Sequence, residues 1–157
     1  MASLSNVSLS IATGSTASTT TATVSGTMNF DATEVGKSYR LAIELWGEDK
    51  SDDNLPSTDS VGDEELYTFT WGSLFLRRSY RQFTVNAAGP QTFTEARNIS
   101  SGTLDEDSGL SSGPNSPDNG NTPPPGLPRR DEVYAKVTLS GTPVTARSAT
   151  VVTGAGV

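Results

Sequence analysis

Along most of this chain apolar residues recur at every second position, the period of a β-strand with one face turned to a core. VSLSI alternates through Val7, Leu9 and Ile11. TATVSGTMNF alternates through Ala22, Val24, Met28 and Phe30, with Gly26 predicting a bulge or bend. YRLAIELW sends Tyr39, Leu41, Ile43 and Leu45 to one face and Arg40, Ala42, Glu44 and Trp46 to the other. LYTFTW alternates through Tyr67, Phe69 and Trp71, and DEVYAKVTL through Val133, Ala135, Val137 and Leu139. RQFTVN and QTFTEARNI are shorter, weaker candidates, and PVTARSATVV closes the chain. No window of helical length carries the i, i+3, i+4 pattern.

Seven or eight short strands punctuated by Gly, Asn, Asp and Pro predict an all-β fold. The expected form is an antiparallel immunoglobulin-like β-sandwich, with a Greek-key jelly roll as the alternative. Two segments fall outside this pattern. Residues 1–16 are Ser- and Thr-rich with one alternating patch, and predict an extended N-terminal arm. Residues 17–157 form the sandwich, interrupted at 108–130 by an insertion that holds six of the nine prolines. Proline gives no ladder donor and fixes φ, so the insertion predicts a long loop with polyproline II character around TPPPG.

Charge narrows the function. With 11 Lys and Arg against 18 Asp and Glu, the net charge is -7, a surface that repels phosphate backbones, so no nucleic-acid partner is expected. The absence of cysteine excludes disulfides and thiolate zinc sites, and the absence of histidine removes the commonest general base and transition-metal ligand. No Ser has a His partner, so no enzyme is expected. The N-terminal stretch lacks a basic region followed by an apolar run, and no 18-residue apolar run occurs, so neither a signal peptide nor a membrane association is expected.

One acidic motif occurs twice. LWGEDKSDD leads through a polar loop to DEELYTFTW, and TLDEDSGLS leads through the Pro-rich loop to DEVYAKVTL. Antiparallel strands joined by a loop bring its ends together. Glu48 and Asp49 are therefore expected beside Asp63 and Glu64, and Glu106 and Asp107 beside Asp131 and Glu132. Each close carboxylate pair repels by about 1 kcal/mol even in a water-like dielectric. Solvation, a neighbouring Lys or Arg, or a hard cation would relieve this, which makes the eight residues calcium candidates. The first copy has Lys50 at hand, the second Arg129 and Arg130. The favoured reading is solvated or Arg-paired loop bases with no cofactor and no structural metal, because neither copy supplies the dense run of oxygen ligands that calcium prefers.

FLRRSYRQF concentrates positive charge in Arg77, Arg78 and Arg81, a set suited to an acidic partner surface. It weighs evenly against a solvated strand face. Trp46 and Trp71 sit on strand patterns and read as packing residues rather than ligand platforms.

The layout resembles that of tailed-phage capsid decoration (cement) proteins: an arm, MASLSNVSLSIATGSTASTT; sandwich strands such as YRLAIELW and DEVYAKVTL; and an extended loop. What the resemblance implies is a non-enzymatic virion protein, a homo-oligomer that binds major capsid protein or other virion subunits and clamps them through arm and loop. Val7, Leu9 and Ile11 of the arm and Arg77, Arg78 and Arg81 are the expected partner-binding residues. The alternatives are a calcium-dependent C2-like or adhesin-like binding module and an immunoglobulin-like accessory domain of a phage tail or baseplate.

Overall fold

The computed structural model describes residues 1–13, 19–48, 63–73, 75–104, 131–141 and 144–153. Two antiparallel sheets pack over one core, a β-sandwich-like arrangement with nine strands among the described residues. The strands are β1 (Ser3–Thr13), β2 (Thr19–Phe30), β3 (Ser38–Gly47), β4 (Glu64–Thr68) and β5 (Arg81–Thr84), then β6 (Gly89–Ser100), β7 (Asp131–Ser140), β8 (Val144–Arg147) and β9 (Val151–Thr153). One sheet runs β1-β2-β6. The other runs β4-β3-β7-β8, with β5 also on β3 and β9 also on β7.

The period-2 pattern explains the layers. β3 buries Tyr39, Leu41, Ile43 and Leu45, and β7 buries Val133, Ala135, Val137 and Leu139 against Ala22, Val24, Met28 and Phe30 of β2. Each large aliphatic side chain so buried stabilises by roughly 1.5–3 kcal/mol before the entropy of ordering is set against it. Phe93 and Ile99 add the third strand of the smaller sheet, so QTFTEARNI is part of a 12-residue strand rather than a weak one. PVTARSATVV divides into β8 and β9, separated by Ser148, whose hydroxyl accepts from the Ala135 amide at 2.9 Å.

Gly26 marks the bulge of the β1–β2 pair from its regular side, opposite Asn6 and Val7. β2 runs unbroken through it, and the missing side chain makes room for the Phe93 ring, which lies 2.8 Å from where a Cβ would stand. The irregularity sits opposite, in β1 between Ser5 and Ser8, where Asn6 takes φ +52. Asn tolerates this left-handed conformation better than other non-glycine residues, and the extra residue keeps both Leu4 and Val7 on the core side.

The N-terminal arm is corrected by this arrangement. Ser3–Thr13 pairs with β2 from Ser3↔Asn29 to Thr13↔Thr20, as one of three strands in its sheet. Leu9 is buried in the core and Val7 and Ile11 pack against it. These three side chains face the chain's own interior, so they do not form the expected partner-binding set. Alternation in Ser- and Thr-rich sequence was strand patterning, not arm composition. Ala2 is buried as well, its amide donating to Glu34 Oε1 at 2.7 Å. Glu34 itself is buried at the end of a short 3-10 turn (Ala32–Glu34) and also accepts from the Tyr39 hydroxyl at 2.8 Å. The expected loop at 108–130 lies outside the described residues.

Candidate interaction surfaces

Glu48, at the end of β3, and Asp63, before β4, are brought together as the loop geometry required. Between them stands Arg147 of β8, which the sequence reading did not assign. Its Nη2 donates to Glu48 Oε1 at 2.6 Å, and its Nη1 lies 3.9 Å from Asp63 Oδ2. The guanidinium carbon lies over the Tyr134 ring, 3.5 Å from its centroid, and Tyr134 donates its hydroxyl to Asp63 Oδ2 at 2.6 Å. Thr150 donates to Glu48 Oε2 at 2.7 Å. Burial above all, then the bond to Asp63 and the nearby negative charge, raise the Tyr134 hydroxyl to about 12, while Arg147 pulls the other way.

The two copies of the acidic motif also meet. β3 and β7 are neighbours, and the Glu48 amide donates to the Glu132 carbonyl at 2.8 Å. Pairing of the copies could not be read from either one alone, because it depends on strand order. Glu64 is exposed on β4. Asp131 opens β7 opposite Thr153. Asp49, Glu106 and Asp107 lie outside the described residues, as do Lys50, Arg129 and Arg130. Among the described residues no group of three or more acidic side chains is placed to hold a metal ion.

The three arginines of FLRRSYRQF separate. Arg81 is held by Glu95 of the other sheet, Nη1 to Oε1 at 2.9 Å, and so ties β5 to β6 instead of facing a partner. Glu95 also accepts from Trp71 Nε1 at 3.2 Å and lies 3.5 Å from Arg97 Nη1. The Arg97 guanidinium lies 5.3 Å from the centroids of both Phe69 and Trp71 and donates to the Thr70 carbonyl at 3.1 Å. Arg78 lies 5.9 Å from the Tyr80 ring centroid, and Arg40 approaches the same ring at 4.7 Å. Arg77 and Arg78 remain exposed.

Both belong to a small hairpin. Trp71 and Arg78 exchange two backbone hydrogen bonds of 2.9 Å, and the Leu76 amide donates to the Ser73 carbonyl at 2.9 Å. Gly72 takes φ +106, and a Cβ there would collide with the Leu76 carbonyl oxygen, so this turn needs glycine. At its apex Phe75 is 90% exposed and Leu76 72% exposed. The sequence held a signal for this: LFL places three apolar residues in a row between Gly72 and two arginines, which strand alternation does not explain. A shallow cleft of about 300 Å³ lies elsewhere, lined by Ser38, Tyr39, Arg40, Gln82, Ser140 and Gly141.

Comparison of the chain with protein-family models, curated proteins and solved structures gives no match.

Proposed function

We propose that this chain is a non-enzymatic structural protein, an immunoglobulin-like sandwich that holds neighbouring subunits of a viral shell together, as capsid decoration proteins do. The observation that carries the reading is the closed hairpin that presents Phe75 and Leu76 beside Arg77 and Arg78. Adjacent large apolar side chains rimmed by charge make the kind of exposed patch that is often functional. The strand order supports the fold assignment: β1-β2-β6 against β4-β3-β7-β8 follows the A-B-E and C′-C-F-G arrangement of such sandwiches.

The corrected N-terminus changes how the clamp works. β1 is committed to its own sheet, so contact is assigned to the hairpin tip, with the 108–130 loop as a second arm. In the first acidic loop base, Arg147 already supplies the positive charge that would otherwise be asked of calcium, which favours a clamp working without metal. The test is the state of the native chain in extracts of the cells that make it. On a density gradient it should band with a particle far larger than itself and leave that band when the particle is dissociated. Recovery only at the top of the gradient would overturn the reading.

A further inference from the structure

We infer that the Phe75–Leu76 tip docks on a second copy of this chain, against the outer face of β3 and β4 around Trp46. The inference shares with the proposed function only the premise that the tip is a contact surface. It does not need a shell.

Three observations point to this occupant. The first is preorganisation. Paired backbone bonds close the hairpin between Trp71 and Arg78, and Glu95 and Arg97 hold its base through Trp71. Docking therefore orders little that is not already ordered.

The second is charge. Arg77 and Arg78 stand beside the apolar pair on a chain of net charge -7; without them the remainder carries -9. A positive tip on an otherwise acidic molecule is complementary to other faces of that same molecule. A two-fold contact between tips would instead set the arginines against their own copies, which leaves tip against acceptor face as the complementary contact.

The third is the acceptor. Trp46 lies half-buried on the outer face of β3, opposite Glu65 of β4, and donates Nε1–H to Glu44 Oε2 at 3.0 Å. The face thus offers a half-buried aromatic ring, which the Lys136 ammonium approaches to 4.6 Å of its centroid, and the exposed carboxylates of Glu64 and Glu65 for the arginines. An anionic bilayer offers the opposite electrostatics, since it repels the acidic body.

Contact size sets the strength. A Phe and a Leu bring on the order of 300 Å² of apolar surface, well short of the roughly 1,600 Å² total of a standard stable interface. Association is therefore weak for one contact and grows when successive contacts close a ring.

The experiment is sedimentation velocity on the purified full-length chain, from about 5 to about 500 µM. The wild type is expected to shift from monomer to larger species across that range, and less so at high salt. Phe75→Ser with Leu76→Ser, at exposed positions, should stay monomeric while circular dichroism and the melting temperature are unchanged. Glu65→Arg should also lose association alone, and it gives an intact tip to set against the serine variant's intact acceptor. Mixed together, these two should form a dimer and nothing longer, because the mixture pairs one intact tip with one intact acceptor. A wild type that stays monomeric at the highest concentration would overturn the inference, as would a mixture that fails to recover the dimer. Phe75-dependent sedimentation with phosphatidylserine vesicles by a chain that stays monomeric would overturn it in favour of a membrane surface. None of these results depends on the particle gradient, so either proposal can fail without the other.

Discussion

The outer faces of the two sheets share a backbone geometry and differ in nearly every side chain. On the three-stranded sheet, Ser5, Thr27 and Thr92 lie in one row across the strands, Ser8, Ser25 and Thr94 in the next, and Ser10, Thr23 and Ala96 in a third. Uncharged polar groups pair with one another there: Ser8 Oγ lies 3.0 Å from Ser25 Oγ, and the Thr21 hydroxyl donates to Asn98 Oδ1 at 2.9 Å. Glu95 and Arg97 are the charged residues of that sheet, and both serve the base of the hairpin. On the six-stranded sheet, Glu44 faces Lys136, Trp46 faces Tyr134, and Lys136 faces Arg147. Like charges directly opposite destabilise a sheet. Here Glu44 takes up Lys136 at 3.5 Å and Glu48 takes up Arg147 at 2.6 Å. The Lys136 ammonium also lies 4.6 Å from the Trp46 ring centroid.

The difference separates two ways of finishing a sheet. Uncharged polar groups satisfy one another locally and give a partner no charge to recognise. Paired charges cross-link strands, and they leave an imbalance wherever a charge lacks a close opposite. Arg77 and Arg78 at the hairpin edge are where that imbalance meets exposed apolar surface.

The largest effect should come from removing a strand of the three-stranded sheet. A chain lacking residues 1–13 loses Leu9 from the core and uncovers Ala22 and Val24, so it should show no cooperative unfolding transition in urea. A truncated chain that melts like the whole would restore the detached arm. Next comes Glu34→Ala. It leaves the Ala2 amide and Tyr39 hydroxyl without their buried acceptor, at roughly 1–3 kcal/mol for each, measured by chemical denaturation.

Those two predictions rest on features that were unequally legible. β3 and β7 announced themselves, because their alternation is strict and their inward residues are large. β1 was misread because its inward residues alternate with serines in a stretch whose composition resembles a tether. Its register shift at Asn6 also breaks the alternation between Leu4 and Val7. Glu34 could not be found, since a lone acidic residue after a strand gives no sign that Ala2, 32 residues earlier, will donate to it. Of the candidate site, the approach of Glu48 to Asp63 followed from loop closure. Arg147 could not be assigned without knowing that β8 lies beside β7. Phe75 and Leu76 stood in plain view and were passed over because strand patterning assigns them no role.

Smaller effects belong to the charged face. Arg147→Ala should cost about 1 kcal/mol, since the pair with Glu48 is partly exposed and the contact over the Tyr134 ring is lost with it. Calcium should leave the wild-type melting temperature where a sodium control at equal ionic strength leaves it. A rise of about 5 °C or more would instead mark a bound ion. Tyr134 titrates later in the folded chain, at about 12 against 10.0. The folded state thus holds the proton that the unfolded state releases first. Stability from this group is complete below pH 10 and is lost as pH rises through about 12. Tyr134→Phe should abolish that part of the alkaline loss, read from urea midpoints across the range. Smallest of all, Thr23→Val on the uncharged face should change stability by less than about 0.5 kcal/mol, because the strand propensity is kept and one exposed hydroxyl is removed.

The central claim is that contact is made through the hairpin and not through the hydroxyl-lined outer face of the three-stranded sheet. Methyl NMR with a soluble paramagnetic agent, at low and high protein concentration, reads this directly. The account predicts that Leu76 methyls become shielded as concentration rises, while the methyls of Thr23, Thr27 and Thr94 stay as open as before. Shielding of the threonine methyls with Leu76 unchanged would contradict it.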